Sequence, residues 1–134
     1  EIRLSLVGSE MCIRDSFWDA ARSHGAVCIF ASPVAMREFD EAGVCHPSFA
    51  AYREAMRAFA AEVGAPFIDL GAATAAANTA FGAERCKARY MWVGAKQDNA
   101  HQQNAGACRT AQAFVQQFLQ DTTPALDVLR ANFK

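Results

Sequence analysis

The clearest pattern of apolar and polar positions lies in residues 49–63, where apolar side chains recur every three or four residues. They are Phe49, Tyr52, Met56, Phe59, Ala60 and Val63. This spacing places them on one face of an amphipathic helix. Ser48 is suited to cap the start of this helix and Gly64 to end it.

Two short apolar runs flank this helix. AVCIFA (26–31) lies between Gly25 and a Ser-Pro pair, and PFIDL (66–70) follows the helix directly. Runs of this length with Gly and Pro at their borders are typical of buried strands. A strand, a helix and a strand joined by short connections predict a βαβ unit with parallel strands, and hence an α/β fold.

Weaker patterns predict the remaining elements. In chain order, these are the end of a helix (17–24), a helix or helical turn (71–83), a strand or extended loop entrance (88–93), a helix capped by Asn104 (105–120) and a short helical tail (125–132). Residues 32–47 are polar, and Pro and Gly interrupt any helical pattern there. This loop is long for a structural connection, and long loops are often functional.

The first sixteen residues, EIRLSLVGSEMCIRDS, differ in character from the rest. Their LVGSEMCIRD is an in-frame translation of CTCGTGGGCTCGGAGATGTGTATAAGAGAC, which resembles a sequencing-library adapter. We therefore expect residues 1–16 to be an artefact and residues 17–134 to be the C-terminal part of a longer domain. The alternative is a genuine β-strand over IRLSLV.

Charge and hydropathy limit the classes of partner. Residues 17–134 contain eleven basic and eleven acidic side chains, with no basic cluster. Nucleic acids and anionic membrane surfaces are bound by clustered Lys and Arg. No apolar run approaches the roughly 20 residues that span a bilayer. We therefore expect no nucleic acid and no membrane as partner, which leaves a small molecule or a polysaccharide.

Cysteine spacing gives no sign of a metal site. Outside the first sixteen residues the cysteines are Cys28, Cys45, Cys86 and Cys108, and none forms a C-x-x-C pair. We therefore expect no zinc site and no other metal constellation. An even number of cysteines permits disulfides in an oxidising compartment without establishing them, so the compartment stays open.

The polar stretch QDNAHQQNAGA (97–107) carries the candidate chemistry. We expect it to be a loop just before the last long helix. If that loop turns tightly, the Asp98 carboxylate can accept a hydrogen bond from one ring nitrogen of His101. The other nitrogen is then free to take a proton from a nucleophile. Asp-x-x-His alone is weak evidence, because Asp98 can equally order a turn beside a solvated histidine.

Longer segments strengthen this interpretation. The DNAH block with its following Gly-Ala resembles the last block of the SGNH, or GDSL-type, hydrolases. SPVAMREFDEAG (32–43), AYREAMRAFAAEVGAPFIDL (51–70) and MWVGAKQDNAH (91–101) occur in the order seen in the rhamnogalacturonan acetylesterase-like branch. The resemblance covers most of residues 26–119 and is more specific for the family than for the branch.

This resemblance implies a flavodoxin-like, three-layer α/β/α domain, of which the chain would hold the C-terminal portion. It also implies a serine esterase without a cofactor, acting on acetylated oligo- or polysaccharide. His101 then corresponds to the general base and Asp98 to the acid that orients it. The family's G-D-S serine and its oxyanion-hole Gly and Asn have no counterpart here, and we expect them upstream. Such a substrate would suit a secreted or periplasmic protein.

Several alternatives stay open at this point. Ala100 occupies a position where Thr is common in the family, which leaves the orientation of His101 less certain. Arg37 is either a contact for an acidic sugar or a solvated loop residue, and Tyr90 and Trp92 are either a platform for a sugar ring or partial core. The rival functions are a non-catalytic carbohydrate-binding or interaction module and an SGNH lipase or thioesterase.

Overall fold

The computed structural model describes residues 15–133, which fall into two compact units. Residues 15–32, 50–68 and 118–133 form the first unit, and residues 33–49 and 69–117 form the second. Residues 1–14, which hold most of the segment that we interpret as adapter-derived, lie outside the described residues.

The first unit contains the predicted βαβ arrangement. Its described elements are helix α1 (15–23), strand β1 (Phe30–Ala31), helix α2 (Ala50–Glu62) and strand β2 (Phe67–Ile68). The two strands are parallel, with Phe30 opposite Phe67 and Ala31 opposite Ile68. The parallel pairing is confirmed, but each strand is shorter than the apolar run that predicted it, because the ladder joins only these two pairs.

Aromatic side chains form the core of this unit. Phe30 packs edge-to-face on Phe59 with ring centroids 5.5 Å apart, and Trp18 of α1 lies 6.2 Å from Phe30. Phe59 is one of the apolar positions whose helical spacing predicted α2. That spacing therefore marks the face of α2 that is buried against β1.

The two ends of α2 differ in how well they were predicted. At the C-terminal end, Gly64 adopts φ +66° and the Ala65 amide donates to the carbonyl of Ala60, so the predicted glycine stop is confirmed. At the N-terminal end, Ser48 was expected to be the cap. Its Oγ instead accepts a hydrogen bond from the Met36 amide at 2.8 Å, which ties the two ends of the 33–49 loop together.

The second unit begins, after the 33–49 loop, with helices and ends with a hairpin and a long helix. Its elements are α3 (Leu70–Phe81), α4 (Ala83–Cys86), a 3-10 turn (Lys87–Arg89), β3 (Tyr90–Val93), β4 (Lys96–Gln102) and α5 (Asn104–Gln120), whose last turn belongs to the first unit. Asp69 caps α3 by accepting from the Ala72 amide at 3.1 Å.

A buried polar network holds this second unit together. The hydroxyl of Tyr90, which is fully buried, donates to the Ala35 carbonyl at 2.6 Å and accepts from Nδ2 of Asn78 at 2.8 Å. Tyr90 is therefore a core residue and not a platform for a sugar ring. Burial raises the pKa of its phenol.

Beyond α5 the chain continues as the helical tail that the sequence predicted. It consists of a 3-10 turn (Pro124–Leu126), α6 (Asp127–Arg130) and a second 3-10 turn (Ala131–Phe133). Leu126 is fully buried, and the ring of Phe133 packs on Phe118 of α5 at 5.4 Å. Together the two units have the α/β fold expected from the sequence. No helix in the described part of the chain is long and apolar enough to cross a membrane.

Candidate active site on the hairpin arch

The segment that carries Asp98 and His101 is part of a strand and not the loop that we expected. In the antiparallel hairpin, Tyr90 pairs with Gln102 and Trp92 pairs with Gln97. Four residues of β4 (98–101) therefore lie opposite the single residue Met91 of β3, and the surplus residues arch out of the ladder. Irregularities of this kind re-aim side chains. We call residues 98–101 the arch.

Asp98 organises the arch by accepting three hydrogen bonds. Its Oδ1 accepts from the amides of Ala100 and His101, each at 2.9 Å. Its Oδ2 lies 2.8 Å from Nδ1 of His101. Lys96 adds a weaker ion pair, with Nζ 3.7 Å from Oδ2. The carboxylate thus fixes both the backbone turn and the ring of the same histidine.

These contacts favour the ionised form of Asp98 and one tautomer of the His101 ring. The His101 amide, the Ala100 amide and then the His101 ring hold the pKa of Asp98 well below its ordinary value. An ionised carboxylate can only accept hydrogen bonds, so Nδ1 of His101 must carry the hydrogen. In a neutral ring Nε2 then has a free lone pair and can accept a proton.

The side chains of His101 and Asp98 differ in their exposure to solvent. The His101 side chain is 79 % exposed, whereas that of Asp98 is 20 % exposed. A shielded acid behind an accessible imidazole is the arrangement that a general base needs, since Nε2 must reach a reacting group. Ala100, where a threonine is common in the resembling family, does not prevent this contact.

A second acid–imidazole pair in the same unit has similar geometry. Asp40 accepts from the amides of Ala42 and Val44, and its Oδ2 lies 2.7 Å from Nε2 of His46. The His46 ring, followed by the Val44 amide, lowers the pKa of Asp40. The Asp40 side chain is 41 % exposed, twice the exposure of Asp98. Geometry alone therefore does not single out the arch.

Arg37 and Trp92 hold the arch through hydrogen bonds to Asn99. The sequence did not predict these contacts. The Arg37 amide donates to the Asn99 carbonyl at 2.8 Å, and Nη1 of Arg37 donates to Oδ1 of Asn99 at 3.3 Å. Nε1 of Trp92 donates to the same Oδ1 at 2.9 Å. The Arg37 guanidinium is therefore bound within its own unit, and Arg37 is not a solvated loop residue. The only sequence signal for Asn99 was its position inside the DNAH block.

Five serine and threonine hydroxyls of the described residues bond to groups outside the arch. Ser23 donates to the Ala20 carbonyl, Ser48 accepts from an amide of the long loop, and Thr74, Thr79 and Thr110 bond to groups outside the arch. No hydrogen bond joins the His101 ring to a serine or threonine hydroxyl within residues 15–133.

Cysteines and metal-ligating side chains add nothing to the arch. Among the described residues, Cys28, Cys45, Cys86 and Cys108 are free cysteines. In the described range, no group of three or more His, Cys, Asp and Glu side chains is arranged to hold a metal ion.

The chain is similar to a known esterase and to one solved structure. No family model matches the chain. In an alignment 104 residues long that covers 71 % of the chain, it is 35 % identical to the rhamnogalacturonan acetylesterase RhgT of Bacillus subtilis. Its fold matches the crystal structure of the Bacillus subtilis protein YxiM with a TM-score of 0.67 and 29 % identity, over 74 % of the chain.

Both matches cover only part of the larger proteins. The chain spans 45 % of the acetylesterase and 27 % of YxiM. The identity and the TM-score support the α/β fold and the resemblance that the DNAH block suggested.

Proposed function

This is an SGNH esterase-like chain. We propose that it carries the acid and the base of a serine esterase that deacetylates carbohydrates. The observation behind the proposal is the 2.8 Å contact between Asp98 and Nδ1 of an exposed His101, in a chain similar to an acetylesterase. Acetylated rhamnogalacturonan is the substrate named for that relative, so we propose an acetylated pectin-type polysaccharide here.

In the proposed reaction His101 takes up a proton and gives it away once in each of two half-reactions. As a serine hydroxyl attacks the acetyl carbonyl, Nε2 takes the hydroxyl proton, and the Asp98 carboxylate stabilises the resulting imidazolium. His101 then gives that proton to the departing sugar oxygen, which leaves an acetyl–serine ester. Nε2 then takes a proton from a water molecule as the water oxygen attacks this ester, and passes that proton to the serine oxygen as acetic acid leaves; the acid then ionises to acetate in water.

We place the nucleophilic serine outside residues 15–133. The serines and threonines with known partners in that range bond to other groups, and none bonds to the His101 ring. The chain also matches less than half of the acetylesterase relative. In this proposal the serine and the oxyanion-hole groups come from the part of the enzyme that this chain does not match.

A hybrid enzyme tests the proposal. In it, the matched part of the Bacillus subtilis acetylesterase is replaced by the corresponding residues of this chain. Acetate release from acetylated rhamnogalacturonan is measured for the hybrid and for the 134-residue chain alone. We expect the hybrid to release acetate and the chain alone to release none, because only the hybrid contains a nucleophile.

Other outcomes point to other functions. A hybrid that hydrolyses long-chain esters or thioesters but not acetylated polysaccharide would move the proposal to a lipase or thioesterase. A folded hybrid without hydrolysis, together with a chain that binds deacetylated polysaccharide in calorimetry, would favour a binding module. Turnover by the chain alone would contradict the placement of the serine.

A further inference from the structure

We infer that Arg37 is a positioning residue for the arch and acts on the candidate dyad through Asn99. This inference rests on the proposed function, because it concerns the placement of the proposed base. Asn99 lies between Asp98 and Ala100, and its side chain makes no hydrogen bond to the Asp98 carboxylate or to the His101 ring. Its own bonds run to Arg37 and Trp92, so they attach the arch to the rest of its unit.

The hydrogen bonds inside the arch are local, so contacts from outside the arch are also needed to fix its direction. Asp98 bonds to the amides of Ala100 and His101 and to the His101 ring, all within three residues. These bonds shape the turn but do not fix where it points. Because the ladder between β3 and β4 is interrupted here, the strand pairing does not fix the arch either.

Arg37 supplies that external attachment and is itself anchored. Its Nε and Nη2 both donate to the carbonyl of Ala83, at 3.1 and 2.8 Å. Its guanidinium lies 4.6 Å from the centre of the Trp92 ring. A guanidinium can serve two acceptors in fixed directions at once. Arg37 therefore connects the first residue of α4, the indole of β3 and the arch.

The Arg37→Lys substitution tests whether the positive charge of Arg37 or the fixed directions of its hydrogen bonds hold the arch. The single ammonium group of the lysine can keep the positive charge near the Trp92 ring but cannot bond both Ala83 and Asn99 in the same directions. Arg85→Lys is the matched control, because Arg85 also stacks on an aromatic ring, with its guanidinium 4.3 Å from the centre of Phe81, and does not contact the arch. Trp92→Phe is a second test that keeps a ring and removes only the donor to Asn99.

The first measurement uses the 134-residue chain and requires no activity. Backbone NMR relaxation gives order parameters for the amides of Ala100 and His101. We expect values near the roughly 0.85 of rigid backbone in the parent chain and in Arg85→Lys. Arg37→Lys and Trp92→Phe both keep the main-chain bond from residue 37 to Asn99, so we expect values below those of the parent without a loss of all order, while the rest of the spectrum is retained.

The second measurement uses the acetylesterase hybrid. A displacement of the base by about 1 Å can lower a rate about 100-fold. We therefore expect Arg37→Lys to lower kcat by about 10- to 100-fold with KM changed less than about 2-fold. The pH at which the rate is half-maximal should not move, because the bond between Asp98 and His101 is internal to the arch.

Different results would refute the positioning role of Arg37 and the proposed function. Unchanged order parameters in both variants would refute the positioning role, as would an increase in KM at constant kcat, which would indicate that Arg37 contacts the substrate. If the parent hybrid releases no acetate, the proposed function fails. The relaxation data on the isolated chain would then still decide whether Arg37 holds the arch.

Discussion

Asp98→Asn is the substitution whose effect follows most directly from the geometry of the arch. The asparagine oxygen can replace Oδ1 and keep the two backbone amides of Ala100 and His101 as donors. Its NH₂ group then occupies the position of Oδ2, 2.8 Å from Nδ1 of His101. Because that group is a donor, Nδ1 must become an acceptor, and the ring hydrogen moves to Nε2.

The magnitude follows from this change of tautomer. A ring with hydrogen on Nε2 cannot take the serine proton, although the side chains remain in place. The same substitution in a Ser-His-Asp triad of intact geometry lowers kcat about 10⁴-fold. We therefore expect the Asp98→Asn hybrid to release acetate about 10⁴ times more slowly than its parent, with little change in KM.

The assay is the initial rate of acetate release from acetylated rhamnogalacturonan at the pH optimum of the parent hybrid. Asp40→Asn is the matched control, because Asp40 also accepts from two amides and one histidine ring. We expect that variant to keep the parent rate. An Asp98→Asn rate within about 10-fold of the parent, or an equal loss in Asp40→Asn, would refute the reasoning.

Three further predictions concern the described chain itself. Because the pKa of Asp98 is lowered, its stabilisation of the arch is present above the ordinary value of about 3.9 and is lost only as the pH falls well below it; NMR shifts of the amides that donate to it should have a midpoint below that value, and a midpoint at or above it would be contrary evidence. Gly106→Ala should destabilise by about 1–3 kcal/mol in urea unfolding, because its Cβ would lie 2.3 Å from the Arg89 carbonyl oxygen; the gain usual for Gly→Ala in a helix would contradict the close contact. Tyr90→Phe should cost about 1–3 kcal/mol in the same assay, since it leaves the buried Asn78 amide without its 2.8 Å acceptor, and an unchanged midpoint would argue against that network.

Elements set by local patterns were predictable from the sequence. The apolar spacing of α2 and its glycine stop at Gly64 each depend on residues within a few positions of one another. The contact between Asp98 and His101 is equally local, and the DNAH block drew attention to it. Its catalytic role stays a prediction.

Features set by distant residues were not predictable. Arg37 and Asn99 are 62 positions apart, and no periodicity links an arginine in an irregular loop to an asparagine in a strand. The arch was mistaken for a loop because its polar composition hides the pairing of Tyr90 with Gln102. Ser48 was mistaken for a helix cap because the competing donor, the Met36 amide, comes from the other end of the long loop.

The most direct test of the account is the rate of acetate release by the hybrid carrying His101→Ala, measured beside the same hybrid carrying His46→Ala. Loss of a triad histidine costs about 10⁶-fold in kcat, so we predict that His101→Ala lowers the rate to the background. His46→Ala should keep the parent rate, because its ring pairs with Asp40 and not with the arch. Acetate release that survives His101→Ala would contradict the assignment of the base.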